Sequence, residues 1–212
     1  MLLSDPRHSP RQLQSCDLHV PSQWLRGRER YLLWSIPVEC PAVLARLQAA
    51  RRLLGDWLHP AGPRQAHISL FVCGFACTRA QHADDIEPLL LAAQREALES
   101  LRLAPFELRI GALDSFASAA FLAVDGAGPL VRLRRTLTSL ATEIREAPYV
   151  PHLTVGLYRQ RISATAWRRR AQPLRDCTPL RLPVRELQLL SYAAAEPQGE
   201  LRIEARIALS GS

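Results

Sequence analysis

The sequence predicts an α+β fold of two similar lobes, each an antiparallel sheet with helices on its outer face, related by a pseudo-two-fold axis with a cleft between them. Three observations lead there. Apolar runs of strand length alternate with stretches of helical spacing. The order of these elements in the first half recurs in the second. One four-residue pattern, histidine, apolar, hydroxyl, apolar, occurs once in each half, at His67 and at His152.

Residues 1–29 carry Pro6, Pro10 and Pro21 with little periodicity and read as an arm or cap. A single bilobed domain is expected over 30–212. RYLLWSIPV at 30–38 is a strand by its apolar run. Pro41 then opens a helix whose apolar positions, Val43, Leu44, Leu47, Ala50 and Leu54, repeat at helical spacing to about Trp57. HISLFVCGF at 67–75 is a second strand, followed by a helix over about 84–101. The second half runs FELRIGAL at 106–113, AAFLAVD at 119–125, a helix from Pro129 to Glu146, and HLTVGLYR at 152–159. A short helix at 163–172 and strands at 185–192 and 201–209 complete the chain. The last strand sets Arg202, Glu204 and Arg206 opposite Leu201, Ile203, Ala205 and Ile207.

Composition removes several classes of chemistry. The chain has no lysine, so all 27 basic residues are arginines. That excludes a P-loop lysine, a Schiff-base lysine and the lysine adduct of ATP-driven ligation. Codon bias accounts for the absence, and the chemical consequence holds regardless. Cys16, Cys40, Cys73, Cys77 and Cys177 form no CxxC pair and no even framework, so neither a disulfide scaffold nor a zinc site is expected. A net charge of +7 suits an anionic partner, because guanidinium forks match phosphate oxygens. With no apolar run of membrane-spanning length and no long apolar stretch at the start, a cytoplasmic monomer free of membranes is expected.

Among six histidines, only His67 and His152 are followed at the second position by a hydroxyl, Ser69 and Thr154. In a strand, residues i and i+2 share a face, so each imidazole points the same way as its hydroxyl. Ile68, Leu70 and Val72, and likewise Leu153, Val155 and Leu157, would pack on the opposite face. Two imidazoles and two hydroxyls facing one cleft suit displacement at phosphorus. One group takes a proton from the nucleophile, the other gives one to the leaving oxygen, and the hydroxyls hydrogen-bond the phosphate. The scheme calls for no metal and no cofactor. Phe71 and Tyr158 share the parity of the motif histidines and are candidates to stack on a base. Cys73 shares it too, but a cysteine in an apolar strand is ordinarily filler. His8, His19, His59 and His82 have no partners at useful spacing and are expected to be solvated. Trp24, Trp34 and Trp57 are expected to anchor the first lobe.

HISLFVCGF with Gly74, and PHLTVGLY with Pro151 before the histidine, resemble the motifs of the two-histidine phosphoesterase superfamily, which includes the RNA 2′,3′-cyclic phosphodiesterases also called 2′-5′ RNA ligases. The resemblance covers roughly residues 30–209. It implies one tetrad per lobe facing a shared cleft and metal-free opening of cyclic phosphates, with His152 as proton acceptor and His67 as proton donor. Residue spacing alone leaves those two roles open. Many relatives carry an arginine five residues after the second histidine, where this chain has Leu157. Arg159, or an arginine of the segment WLRGRERY such as Arg28, is the candidate to supply that phosphate contact. The expected substrate is a 2′,3′-cyclic-phosphate RNA end or a related nucleotide 2′-linked diester. The alternatives are a non-catalytic RNA- or nucleotide-binding module, a phosphodiesterase for a small signalling nucleotide, and reversible 2′-5′ RNA joining.

Overall fold

A computed structural model describes residues 2–4, 9–144 and 148–211; Pro6, His8, Ser212 and Glu146, the expected end of one helix, lie outside them. In chain order the elements are β1 (Gln12–Leu13), α1 (Ser22–Leu25), β2 (Arg30–Pro37), α2 (Pro41–Leu54), β3 (His67–Ala76), β4 (Asp85–Ile86), α3 (Pro88–Ser100), β5 (Phe106–Ser115), β6 (Ala119–Asp125), α4 (Ala127–Leu140), β7 (His152–Leu157), β8 (Ile162–Ser163), α5 (Ala164–Ala171), β9 (Leu180–Val184), β10 (Glu186–Ala193) and β11 (Arg202–Ala208).

Helix boundaries follow local chemistry. Proline in the first turn opens α2 at Pro41 and α3 at Pro88, where its missing N–H costs nothing. Ser163 caps α5 by accepting the Ala166 N–H at 3.2 Å. The α2 stripe Val43, Leu47, Ala50 and Leu54 is buried, and the helix stops at Gly55, whose φ of 45° suits glycine. A 3-10 turn at Gly55–Trp57 fills out what the spacing alone reads as one longer helix. α4 stops at Leu140, short of the expected Glu146.

Two sheets result. The first, ordered β11-β10-β2-β3-β4, is antiparallel except for the parallel β3–β4 step; the second, β7-β6-β5-β9, is wholly antiparallel. The last two strands therefore return to the first lobe. Gly74 allows β4 to come close, since a Cβ there would lie 2.3 Å from the Asp84 carbonyl oxygen. β9 is not apparent from the sequence because Pro183 interrupts it. It is tolerated at the sheet edge, where only one neighbour, β5, is paired.

One buried cluster spans both lobes and includes Trp34, Leu47, Ile68, Leu122, Leu133, Leu153 and Trp167. Trp34 Nε1–H donates to the buried Gln94 Oε1 at 2.9 Å. Trp24, by contrast, is exposed and rests on Tyr31 and Phe75. The crossover helices pack across the molecule, α2 against β7 and β9 and α4 against β3. The amino-terminal segment docks on the second lobe. Leu3 and Leu13 are buried, β1 pairs with β8, and the Cys16 N–H donates to the Tyr158 carbonyl at 2.7 Å. Among the described residues no helix is long and apolar enough to cross a membrane.

Candidate active site

β7 is the edge of its sheet, and β3 is paired on its outer side only at Phe75 and Ala76, so the two motif strands approach each other along open edges. Each carries a bulge at the same offset. Ser69 pairs with Ser35 and Phe71 with Trp34, leaving Leu70 extra; Thr154 pairs with Phe121 and Gly156 with Ala120, leaving Val155 extra. The extra residue is the third after the histidine in both strands. A bulge resets the alternation of faces. The histidine and hydroxyl thus stay on the cleft side, while beyond the bulge the parity inverts.

That inversion corrects two sequence expectations. Phe71 is 1% exposed and Tyr158 is fully buried, so neither offers a face to a base. The Tyr158 hydroxyl accepts from Trp167 Nε1–H at 2.7 Å and lies 2.6 Å from Ser115 Oγ. Val72, expected in the core, is half-exposed instead. A third correction concerns Arg28. Its guanidinium donates to Asp84, Asp85 and the carbonyls of Trp24 and Leu25 and lies 3.7 Å over the Phe75 ring, tying α1 to the turn before α3. Arg28 does not line the cleft. Arg26 and Arg30 are engaged too, with His82 and Glu204.

Bulging leaves carbonyls without strand partners, and arginines of the crossover helices take them. Arg134 of α4 donates to the Leu70 carbonyl, and Arg51 of α2 donates Nε–H to the Val155 carbonyl at 2.9 Å. Arg134 also pairs with Glu143 at 2.6 Å, and Glu143 accepts the Val72 N–H at 3.0 Å. The Tyr149 hydroxyl donates to the Ser69 carbonyl at 2.9 Å. The open edge of β3 is thereby satisfied by side chains.

The two imidazoles are held alike. His67 Nδ1 lies 2.9 Å from the Gln65 carbonyl and His152 Nδ1 lies 2.7 Å from the Val150 carbonyl, each two residues upstream. A carbonyl only accepts, so Nδ1 carries the proton in the neutral ring and Nε2 is the nitrogen that titrates. Gln65 is pinned by exchanging hydrogen bonds with the Leu201 backbone. The His152 ring meets Phe116 and Phe121 at 4.9 and 5.6 Å between centroids. Burial pushes His67 down to about 4; the Gln65 carbonyl opposes this, and the positive charge of Arg64 and of His152 adds to it.

Between the lobes lies a cleft of about 560 Å³ lined by His67, Ser69, His152 and Thr154. Arg159 also lines it, together with Arg51 and Arg64, two residues that the sequence did not single out. Arg51 looks like any polar-face helix residue, and the one signal for Arg64 is its position three residues before His67. His59, expected to be solvated, lines the cleft and places Nε2 2.8 Å from the Cys16 carbonyl, fastening the amino-terminal segment. Cys73 is buried, its thiol pushed up to about 12 by burial, which removes it as a nucleophile at neutral pH. Among the described residues no group of three or more His, Cys, Asp or Glu side chains is arranged to hold a metal ion.

Comparison with known proteins agrees with this architecture. LigT of E. coli, in its complex with 3′-AMP, matches at 17% identity over 86% of this chain and 99% of its own, with a TM-score of 0.59. TT0787 of Thermus thermophilus matches at 17% identity over the same shares, with a TM-score of 0.57. At such identity these likenesses establish the fold. No curated protein sequence matches the chain. The model of the 2′-5′ RNA ligase superfamily matches residues 40–196, most of the chain, and the protein belongs to that superfamily.

Proposed function

We propose that this protein is a metal-independent phosphodiesterase that opens 2′,3′-cyclic-phosphate RNA ends or related nucleotide 2′-linked diesters. One observation carries the reading: two histidines from different lobes line one cleft, and each has its Nδ1 tied to a backbone carbonyl, so that Nε2 is the working nitrogen of both. Superfamily membership supports action on a phosphodiester. The cleft is also of nucleotide size, and E. coli LigT has been captured with 3′-AMP.

In this scheme water attacks phosphorus, one Nε2 takes a proton from the water, and the other Nε2–H gives a proton to the departing ribose oxygen. The products are a phosphate monoester and a ribose hydroxyl. Ser69 and Thr154 hydrogen-bond the non-bridging oxygens. Arg159, at the cleft wall, contributes positive charge toward the substrate. With its pKa pushed down to about 4, His67 is neutral near pH 7. It can serve at once as acceptor, whereas a donor role requires the bound anion to lift its pKa.

The test is turnover on a panel of cyclic-phosphate-ended RNAs, 2′-5′ dimers and cyclic nucleotides. His67→Ala and His152→Ala should each lower turnover by roughly 10² to 10⁴-fold, and Ser69→Ala or Thr154→Ala by less. Either histidine variant, folded by circular dichroism and turning over near the wild-type rate, refutes the mechanism. Binding without turnover in the wild type identifies a binding module instead. A bell-shaped pH profile that loses its acidic limb in His67→Ala makes His67 the acceptor; loss of the alkaline limb makes it the donor.

A further inference from the structure

Arg64 has an unusual setting. It sits in the loop between α2 and β3 at the wall of the cleft, with its guanidinium 4.1 Å over the ring of Tyr192 on β10. Its Nε and Nη2 are buried and have no hydrogen-bond partner. These two nitrogens lie on one edge of the guanidinium, the edge whose parallel N–H bonds grip two oxygens of a phosphate or carboxylate. No carboxylate pairs with Arg64 among the described residues. Burial pushes its pKa down. A desolvated cation with an idle fork is a costly resting state, and the partner it lacks is an anion with two neighbouring oxygens.

Resting on the function proposed above, we propose that Arg64 grips the substrate's phosphate, turning its Nε–Nη2 edge from the Tyr192 shelf onto two non-bridging oxygens beside His67. Where they stand against the Tyr192 ring those nitrogens are closed to solvent, so binding requires the side chain to pivot. Leaving the shelf gives up a stacking contact; arriving at the phosphate makes two charge-assisted hydrogen bonds. The pivot needs no partner to be broken at Nε or Nη2. The same encounter changes His67, because the positive charge that disfavours its protonation is matched by the incoming anion.

The test uses the whole chain and inorganic phosphate as probe, titrated by calorimetry against wild type, Arg64→Met and Arg64→Lys, with thermal unfolding measured without ligand. Arg64→Met should bind phosphate at least about tenfold more weakly, as loss of charged hydrogen bonds implies. Its unliganded Tm should be unchanged or higher, because an unpaired buried charge has been removed. KM should rise more than kcat falls. Arg64→Lys, with charge but no fork, should fall between the two. Wild-type phosphate affinity in Arg64→Met overturns the proposal, as does a Tm several degrees lower with affinity kept. If the methionine variant does not fold, wild-type affinity in Arg64→Lys overturns it instead. Phosphate affinity reports on Arg64 regardless of turnover, whereas retained turnover in His67→Ala and His152→Ala would remove the proposed function itself.

Discussion

Replacing Tyr158 by phenylalanine separates its place in the core from the base-stacking role that strand parity suggests. The Tyr158 hydroxyl accepts from Trp167 Nε1–H, and it donates to Ser115 Oγ, whose own hydrogen is directed to the carbonyls of Phe116 and Ala119. Removing the oxygen strands the indole N–H of a tryptophan that is 1% exposed. An orphaned buried donor costs about 1–3 kcal/mol, and the lost bond to Ser115 adds somewhat to this, so about 2–3 kcal/mol is expected. For a chain of this length that corresponds to a fall in Tm of roughly 4–12 °C. The ring stays, so no cavity opens. Urea denaturation gives the stability change, and kcat/KM on a 2′,3′-cyclic nucleotide, measured well below the transition, should remain within about twofold because the hydroxyl does not reach the cleft. A stability loss below about 0.5 kcal/mol together with a tenfold rise in KM would refute this account and return Tyr158 to the binding surface.

Other outcomes follow from the site. Excess EDTA should leave the rate nearly unchanged, and activity lost to chelator and restored by Mg²⁺, Mn²⁺ or Zn²⁺ would overturn the metal-free scheme. Because the native His67 pKa, about 4, lies below its ordinary value, the unfolded chain binds more protons between those limits, so stability present above about pH 6.5 is lost as pH falls toward 4. The His67 share is at most about 3 kcal/mol, read as the difference between wild type and His67→Gln in urea melts at pH 7.5 and 4.5; equal pH dependence would count against the burial argument. RNA affinity should fall steeply with salt, since arginines that neutralise phosphates release counterions; a flat response would mean that the charge of +7 takes no part in binding.

Much of the architecture can be read from the chain because periodicity is local. β2, β3, β5, β6, β7 and β10 fall where the apolar runs put them, and Pro41 marks the start of a helix by chemistry any reader can see, although the apolar spacing runs on past Gly55, where that helix ends. The tetrads are legible for the same reason, since a strand's alternation ties each hydroxyl to its histidine over two residues. Legibility ends where pairing decides. Nothing in HISLF announces that Leu70 is skipped by β2, so Phe71 lands in the core although counting from His67 sends it to the cleft. The sequence shows that Arg28 lies near the first strand but cannot reveal that Asp84 and Asp85 fold back onto it. Arg51 and Arg64 are two among 27 arginines, and only tertiary structure distinguishes them from the rest.

The paired bulges bear on whether the halves can exist apart. Each leaves a carbonyl that is met by an arginine from a helix of the opposite half, Arg134 for Leu70 and Arg51 for Val155. A chain cut between the halves would strip both carbonyls of their donors, and would uncover the faces where α2 meets β7 and α4 meets β3. Each half therefore depends on the other for backbone hydrogen-bond donors as well as for burial, so a cut between them costs both halves at once.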